Sequence, residues 1–136
     1  MTQEEKELLF KDLCARLPYN VKCYNSKYRS DLAEEIICIT VNYNHPCIQL
    51  GTYLYKLEQV KPYLFPLSSM TEEQKREYNN LQCYVPIYYY EYKEFVEEIE
   101  LHPTLESFEY LYKNHFDYRG LIEKGLAIDA TELDIY

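Results

Sequence analysis

Three glycines are spread through 136 residues, at positions 51, 120 and 125, and tryptophan is absent. With glycine this scarce, no glycine-rich loop can cradle a phosphate at a helix N-terminus. Cys14, Cys23, Cys38, Cys47 and Cys83 form no C-x-x-C pair and no Cys/His spacing of a zinc site. Their odd number and wide spacing predict free thiols in a reducing cytoplasm, with no bound metal. The opening MTQEEKELLF has neither the basic flank nor the apolar stretch of a signal peptide. The longest aliphatic run, Ile36 to Val41, is far shorter than the roughly 20 residues that span a bilayer. A cytoplasmic protein without a membrane anchor or cofactor is the expectation.

Positive charge is also in deficit, with a formal net charge of −9. Such a chain repels phosphate backbones, which disfavours direct nucleic-acid binding. The deficit is uneven: residues 1–70 hold eight acids and eight bases, residues 71–136 fifteen acids and six bases. It is densest in Tyr84 to Glu100, YVPIYYYEYKEFVEEIE, where five glutamates meet one lysine among Tyr88, Tyr89, Tyr90 and Tyr92.

Hydrophobic residues make up 47% of the chain, too many for intrinsic disorder, and its length suits one domain spanning 1–136. Thr2-x-x-Glu5 is a capping-box pattern, and Leu9, Phe10, Leu13, Cys14 and Leu17 follow at helical spacing until Pro18. Val21–Tyr24, Ile36–Tyr43 and Cys47–Tyr55 are rich in β-branched and aromatic residues. Within the second, Ile37, Ile39, Val41 and Tyr43 alternate with smaller or polar residues as one inward face would. Pro62 and Pro66 mark the stretch after Leu57 as an irregular bridge out of the sheet. Thr71-x-x-Gln74 starts a second helix through about Leu81, and Pro86 is placed to start a third.

On that third helix Tyr88, Tyr92, Phe95, Val96 and Ile99 would share the buried arc, opposite Glu91, Glu94, Glu97 and Glu98. Thr104 would cap a further helix carrying Leu105, Phe108, Leu111, Tyr112 and His115, closed near Gly120. The expected fold class is therefore α+β: an N-terminal helix, a small antiparallel sheet over roughly residues 20–56, and a helical C-terminal half.

The acidic helix is the first candidate site. Its five carboxylates over nine steps of about 1.5 Å give one charge per ~3 Å, close to one strand of DNA. Tyr89 and Tyr90 beside that face would add contact area with a polar end, while the same pattern also fits an ordinary solvated face opposite a core stripe. A second candidate is His115-Phe-Asp117-Tyr-Arg119-Gly120, which could grip an anionic metabolite or nucleotide through His115, Asp117 and Arg119. The same residues also fit a buried histidine, an ion pair and a helix cap. Cys47 with His45 is a weak local nucleophile and base pair, because Pro46 between them argues against a regular strand. His102, like His45, reads as a turn residue beside a proline. No catalytic constellation is identifiable.

Three stretches carry a resemblance: EEKELLFKDLCARLPY near the start, Lys61-Pro-Tyr-Leu-Phe-Pro-Leu-Ser-Ser-Met-Thr-Glu-Glu, and His115-Phe-Asp-Tyr-Arg-Gly-Leu-Ile with Gly125-Leu-Ala. In these the chain resembles an uncharacterised family of short proteins from gut Bacteroides genomes and their phages and prophages. The resemblance implies a setting in the bacterial host cytoplasm and a phage-borne accessory that blocks or redirects a host protein. Combined with the acidic half, it leads to the expectation of a non-enzymatic binder of a basic host surface, such as a nucleic-acid-binding or defence protein, with Tyr89, Tyr90, Glu91, Glu94, Glu97 and Glu98 in contact. The alternative expectation is a small-ligand binder with a Tyr-lined pocket. Homo-oligomerisation is open.

Overall fold

The capping box predicted at Thr2 closes: the Thr2 hydroxyl accepts from the Glu5 amide at 3.1 Å while the Glu5 carboxylate accepts from the Thr2 amide at 3.2 Å. Helix α1 (Gln3–Arg16) follows and buries Leu9, Asp12, Leu13 and Arg16, a stripe at three- and four-residue spacing. The computed structural model describes residues 1–27, 32–42 and 45–136. Its remaining elements are β1 (Lys22–Asn25), β2 (Glu34–Asn42), β3 (His45–Leu50), β4 (Tyr53–Lys56), β5 (Val60–Pro66), α2 (Glu72–Asn80), β6 (Cys83–Glu91), β7 (Glu94–His102), α3 (Leu105–Lys113), β8 (Phe116–Asp117) and β9 (Ile128–Asp129).

Two compact units result. Met1–Ser69 with Tyr112–Tyr136 forms one, and Met70–Leu111 the other. In the first, strands run in the order β4-β3-β2-β1-β5, all antiparallel, and β8 and β9 add in parallel to the far side of β5. The core lies between Leu9 and Leu13 of α1, Val21, Cys23, Ile36, Ile48, Leu50, Tyr55, Val60 and Leu64 of the sheet region, and Leu121, Leu126 and Ala127 near the C-terminus. Removing a fully buried leucine such as Leu9 or Leu13 from it costs about 2–5 kcal/mol.

Three details of this sheet depart from expectation. Register shifts between Ile36 and Cys38, so Ile37 is the extra residue of a bulge. Parity reverses there: Ile36 is buried and Ile39 packs on the core, while Ile37 and Val41 stand exposed. Tyr43 lies outside the described residues. The Pro62–Pro66 stretch is a sheet strand, not a bridge; Pro62 pairs with Cys23 on one side, and β9 begins on the other only at Tyr63. Its missing N–H is thus tolerated. Pro46 likewise sits in β3 opposite Val41, beyond the last residue that β4 pairs, Cys47.

The sheet of the first unit is a mixed one that extends to Val60–Pro66, Phe116–Asp117 and Ile128–Asp129, not a small antiparallel sheet over residues 20–56. The second half is not helical, and both findings correct the expected fold class. Only α2 and α3 are helices there, and Tyr84–Glu100 is a two-stranded antiparallel sheet. Tyrosine, valine and isoleucine are weak helix formers and good strand formers, and Tyr92 and Lys93 take left-handed φ of 49° and 66°, as a tight hairpin turn requires. Pro86 therefore sits within a strand, not at a helix start. Helix α3 ends at Lys113, and His115, with φ of 62°, turns the chain before Gly120 is reached.

Candidate protein interface

Hairpin β6–β7 pairs Cys83 with His102 through to Glu91 with Glu94, nine pairs without a register shift. Directly opposed residues share a face, so the register sorts the side chains. One face carries Tyr84, Pro86, Tyr88 and Tyr90 against Leu101, Ile99, Glu97 and Phe95; the other carries Cys83, Val85, Ile87, Tyr89 and Glu91 against His102, Glu100, Glu98, Val96 and Glu94. The first is aromatic and open: Tyr84 is 66% exposed, Tyr88 56%, Tyr90 76%, Phe95 59% and Ile99 68%. Rings order it, since Phe95 stacks on Tyr88 at 5.6 Å and meets Tyr90 edge-on at 5.6 Å.

The acidic face has a different structure. Tyr89 donates its hydroxyl to Glu98 Oε1 at 2.7 Å, and that bond holds the phenol above its usual range. His102 Nε2 lies 3.2 Å from Glu100 Oε2. Val85, Ile87, Tyr89 and Val96 are only partly exposed. Within the same compact unit, the Thr104 hydroxyl bonds the Leu81 carbonyl and so ties together the two chain ends that flank the hairpin. Tyr110 donates to Glu77 Oε2 at 2.8 Å, and burial followed by this bond pushes its phenol up to about 12.

These positions revise the expected site. Glu91, Glu94 and Glu98 share a face with Tyr89, but Glu97 and Tyr90 lie on the opposite one. Tyr88 and Tyr92, expected in a buried arc, are 56% and 93% exposed. On a strand rising about 3.4 Å per residue, Glu98 and Glu100 stand about 7 Å apart, twice the charge spacing of a DNA strand. The helical charge ladder does not exist. Residues that helical reasoning missed are Tyr84, Pro86, Glu100 and Leu101, and the two-residue alternation of Tyr84, Pro86, Tyr88 and Tyr90 was the available signal.

His115, Asp117 and Arg119 are built into the other unit. Asp117 is buried and accepts from the Leu121 and Ile122 amides, each at 2.9 Å. Arg119 Nε donates to Asp12 Oδ1 at 3.2 Å, and Arg16 Nε to Asp12 Oδ2 at 2.7 Å. Arg119 also reaches the Tyr112 hydroxyl at 3.2 Å, and Arg16 the Phe116 carbonyl at 2.6 Å. His115 stacks on Tyr136 with ring centres 3.7 Å apart, and burial, then Arg16 and Lys22, lower its pKa to about 4. A hollow of about 380 Å³ near Phe10, Val41, His45 and Leu57 has neither Arg119 nor a tyrosine in its lining.

The Cys47 thiol contacts the His45 carbonyl. All five cysteines are free, and burial above all raises the Cys23 thiol. Among the described residues, no group of three His, Cys, Asp or Glu is placed to hold a metal ion, and no helix is long and apolar enough to cross a membrane. No family model, curated protein or solved structure matches the chain.

Proposed function

We propose that the chain is a non-enzymatic interaction protein, that hairpin β6–β7 is its contact element, and that its partner is a protein with basic groups around an apolar surface. The observation that carries this is the aromatic face. Its six large side chains, Tyr84, Tyr88, Tyr90, Phe95, Ile99 and Leu101, are 42–76% exposed, on the order of 600–700 Å² with the tyrosine hydroxyls included, taking roughly 150–250 Å² for a fully open ring. A typical monomer's largest apolar patch is about 300–600 Å², and one side of a standard interface about 800 Å². Five glutamates against one lysine between Tyr84 and Glu100 favour a basic partner, with charge setting approach and register and the rings supplying desolvated anchors. The resemblance to proteins of Bacteroides and their phages makes a host-cell protein the partner class proposed.

Three chains test it by affinity capture from host lysate: the native protein, a quadruple variant with Glu91, Glu94, Glu98 and Glu100 changed to glutamine, and a triple variant with Tyr88, Tyr90 and Ile99 changed to serine. A partner held by the native chain and lost from both variants is the expected result. Equal recovery by all three would remove the hairpin from the account.

A further inference from the structure

We infer that the outer edge of β7 takes up an extended segment of the partner by strand addition, the added strand alternating apolar and basic residues. This rests on the hairpin being the contact element and specifies how it binds. A two-residue loop closes on a hydrogen-bonded pair, so hydrogen-bonded and non-bonded pairs alternate from Glu91–Glu94 onward. Tyr89–Val96, Ile87–Glu98 and Val85–Glu100 turn their backbone groups inward, whereas Tyr90–Phe95, Tyr88–Glu97, Pro86–Ile99 and Tyr84–Leu101 turn theirs outward.

Pro86, which has no N–H, thus falls in the outward set of β6. A proline there removes a donor from the middle of that edge, a device that protects an edge from further pairing. The outward set of β7, Phe95, Glu97, Ile99 and Leu101, contains no proline, and among the described residues no strand pairs beyond it. One edge is blocked and the other is open.

Side chains select the occupant. Beside β7 an incoming strand would lay one set of side chains along Phe95, Glu97, Ile99 and Leu101, apolar but for Glu97, and the other along Glu94, Val96, Glu98 and Glu100, acidic but for Val96. Apolar residues suit the first row and lysine or arginine the second, with backbone bonds giving affinity and alternate side chains specificity. A second copy of β7 suits the edge poorly: antiparallel registers centred on Glu97 or Glu98 set a glutamate directly against itself.

The probe is the acetylated, amidated peptide Val-Lys-Val-Lys-Val-Lys-Val, titrated into the full chain by calorimetry. Two further peptides carry N-methyl groups on all valines or on all lysines. In a paired strand only one of these sets points its N–H groups at β7, so a tenfold or greater loss of affinity confined to one set is expected. Ile99→Pro, whose lost N–H faces outward, should weaken the parent peptide by a similar factor while the hairpin's own ladder remains.

Binding that tolerates both methylated sets, or loses equally to both, overturns strand addition; the interaction reading then survives on side-chain docking and is judged by the capture experiment. Absence of binding by the parent peptide also overturns strand addition. So does a concentration-dependent dimer that Ile99→Pro abolishes, because the edge would then belong to a second copy.

Discussion

Asp12 has no access to solvent and holds two guanidiniums, Arg16 from its own helix and Arg119 from 107 residues away. Removing one member of a buried ion network leaves the others desolvated and unanswered, at a cost of about 3–5 kcal/mol. Asp12→Asn should therefore lower the urea midpoint of unfolding sharply, and a variant as stable as the native chain would contradict this role. His115 has the opposite character, a ring kept neutral by its surroundings. Its pKa falls from 6.5 to about 4, so between those values the unfolded chain binds a proton that the folded chain refuses. Stability that is intact above pH 6.5 is thus lost as pH falls toward 4, by roughly 1–2 kcal/mol at pH 5 for this part-buried ring. His115→Asn, which suits the left-handed backbone, should lose less stability than the native chain between pH 7 and pH 5. The motif around His115 was legible as residues but not as a network. Nothing local to His115-Phe-Asp-Tyr-Arg119-Gly120 reveals that its arginine answers a carboxylate in the first helix.

Elements signalled by short-range chemistry were the ones the sequence revealed. Thr2 with Glu5, Thr71 with Gln74 and Thr104 with Ser107 all cap helices in the structure, because each signal and its effect lie within four residues. Strands around Val21 and Ile36 were also legible from β-branched content, whereas Cys47–Tyr55, expected as one stretch, is two paired strands, β3 and β4, joined at Gly51-Thr52. The bulge at Ile37 was not legible, since it depends on the neighbouring strand's register. Tyr84–Glu100 misled for a different reason. Its apolar residues satisfy a 100° helical arc and, about the Tyr92–Lys93 turn, a strand alternation as well. The helical arc would bury Tyr88, Tyr92, Phe95 and Ile99, and in the hairpin all four are exposed. The turn provides a test at this scale. Tyr92 and Lys93 hold left-handed φ angles that asparagine and glycine adopt more readily, and strain at such positions is about 1–3 kcal/mol each. Changing the pair to Asn-Gly should raise the hairpin's stability by about 1–2 kcal/mol, read as increased amide protection in β6 and β7. Unchanged or reduced protection would contradict an unfavourable turn.

Across the whole molecule, charge follows the division into compact units more closely than it follows the two halves of the sequence. Met70–Leu111 carries ten acids and three bases, and the remaining residues carry thirteen acids and eleven bases. Seven of the nine excess negative charges therefore accompany the hairpin, while the larger unit is close to neutral. Exposed carboxylates act through solvent and are screened over about 10 Å at 0.1 M salt. Partner affinity should fall at least tenfold between 50 and 300 mM salt, and an affinity indifferent to salt would remove the acidic face from recognition. The central claim is narrower: Tyr84–Glu100 is a hairpin with an open edge and an exposed aromatic face. Residue-resolved hydrogen exchange on the free chain tests it most directly. The account predicts slow amides at Val85, Ile87, Tyr89, Val96, Glu98 and Glu100, alternating with fast amides at Tyr88, Tyr90, Phe95, Glu97, Ile99 and Leu101. Continuous protection from Ile87 through Ile99, as a helix or a covered edge would give, would contradict it.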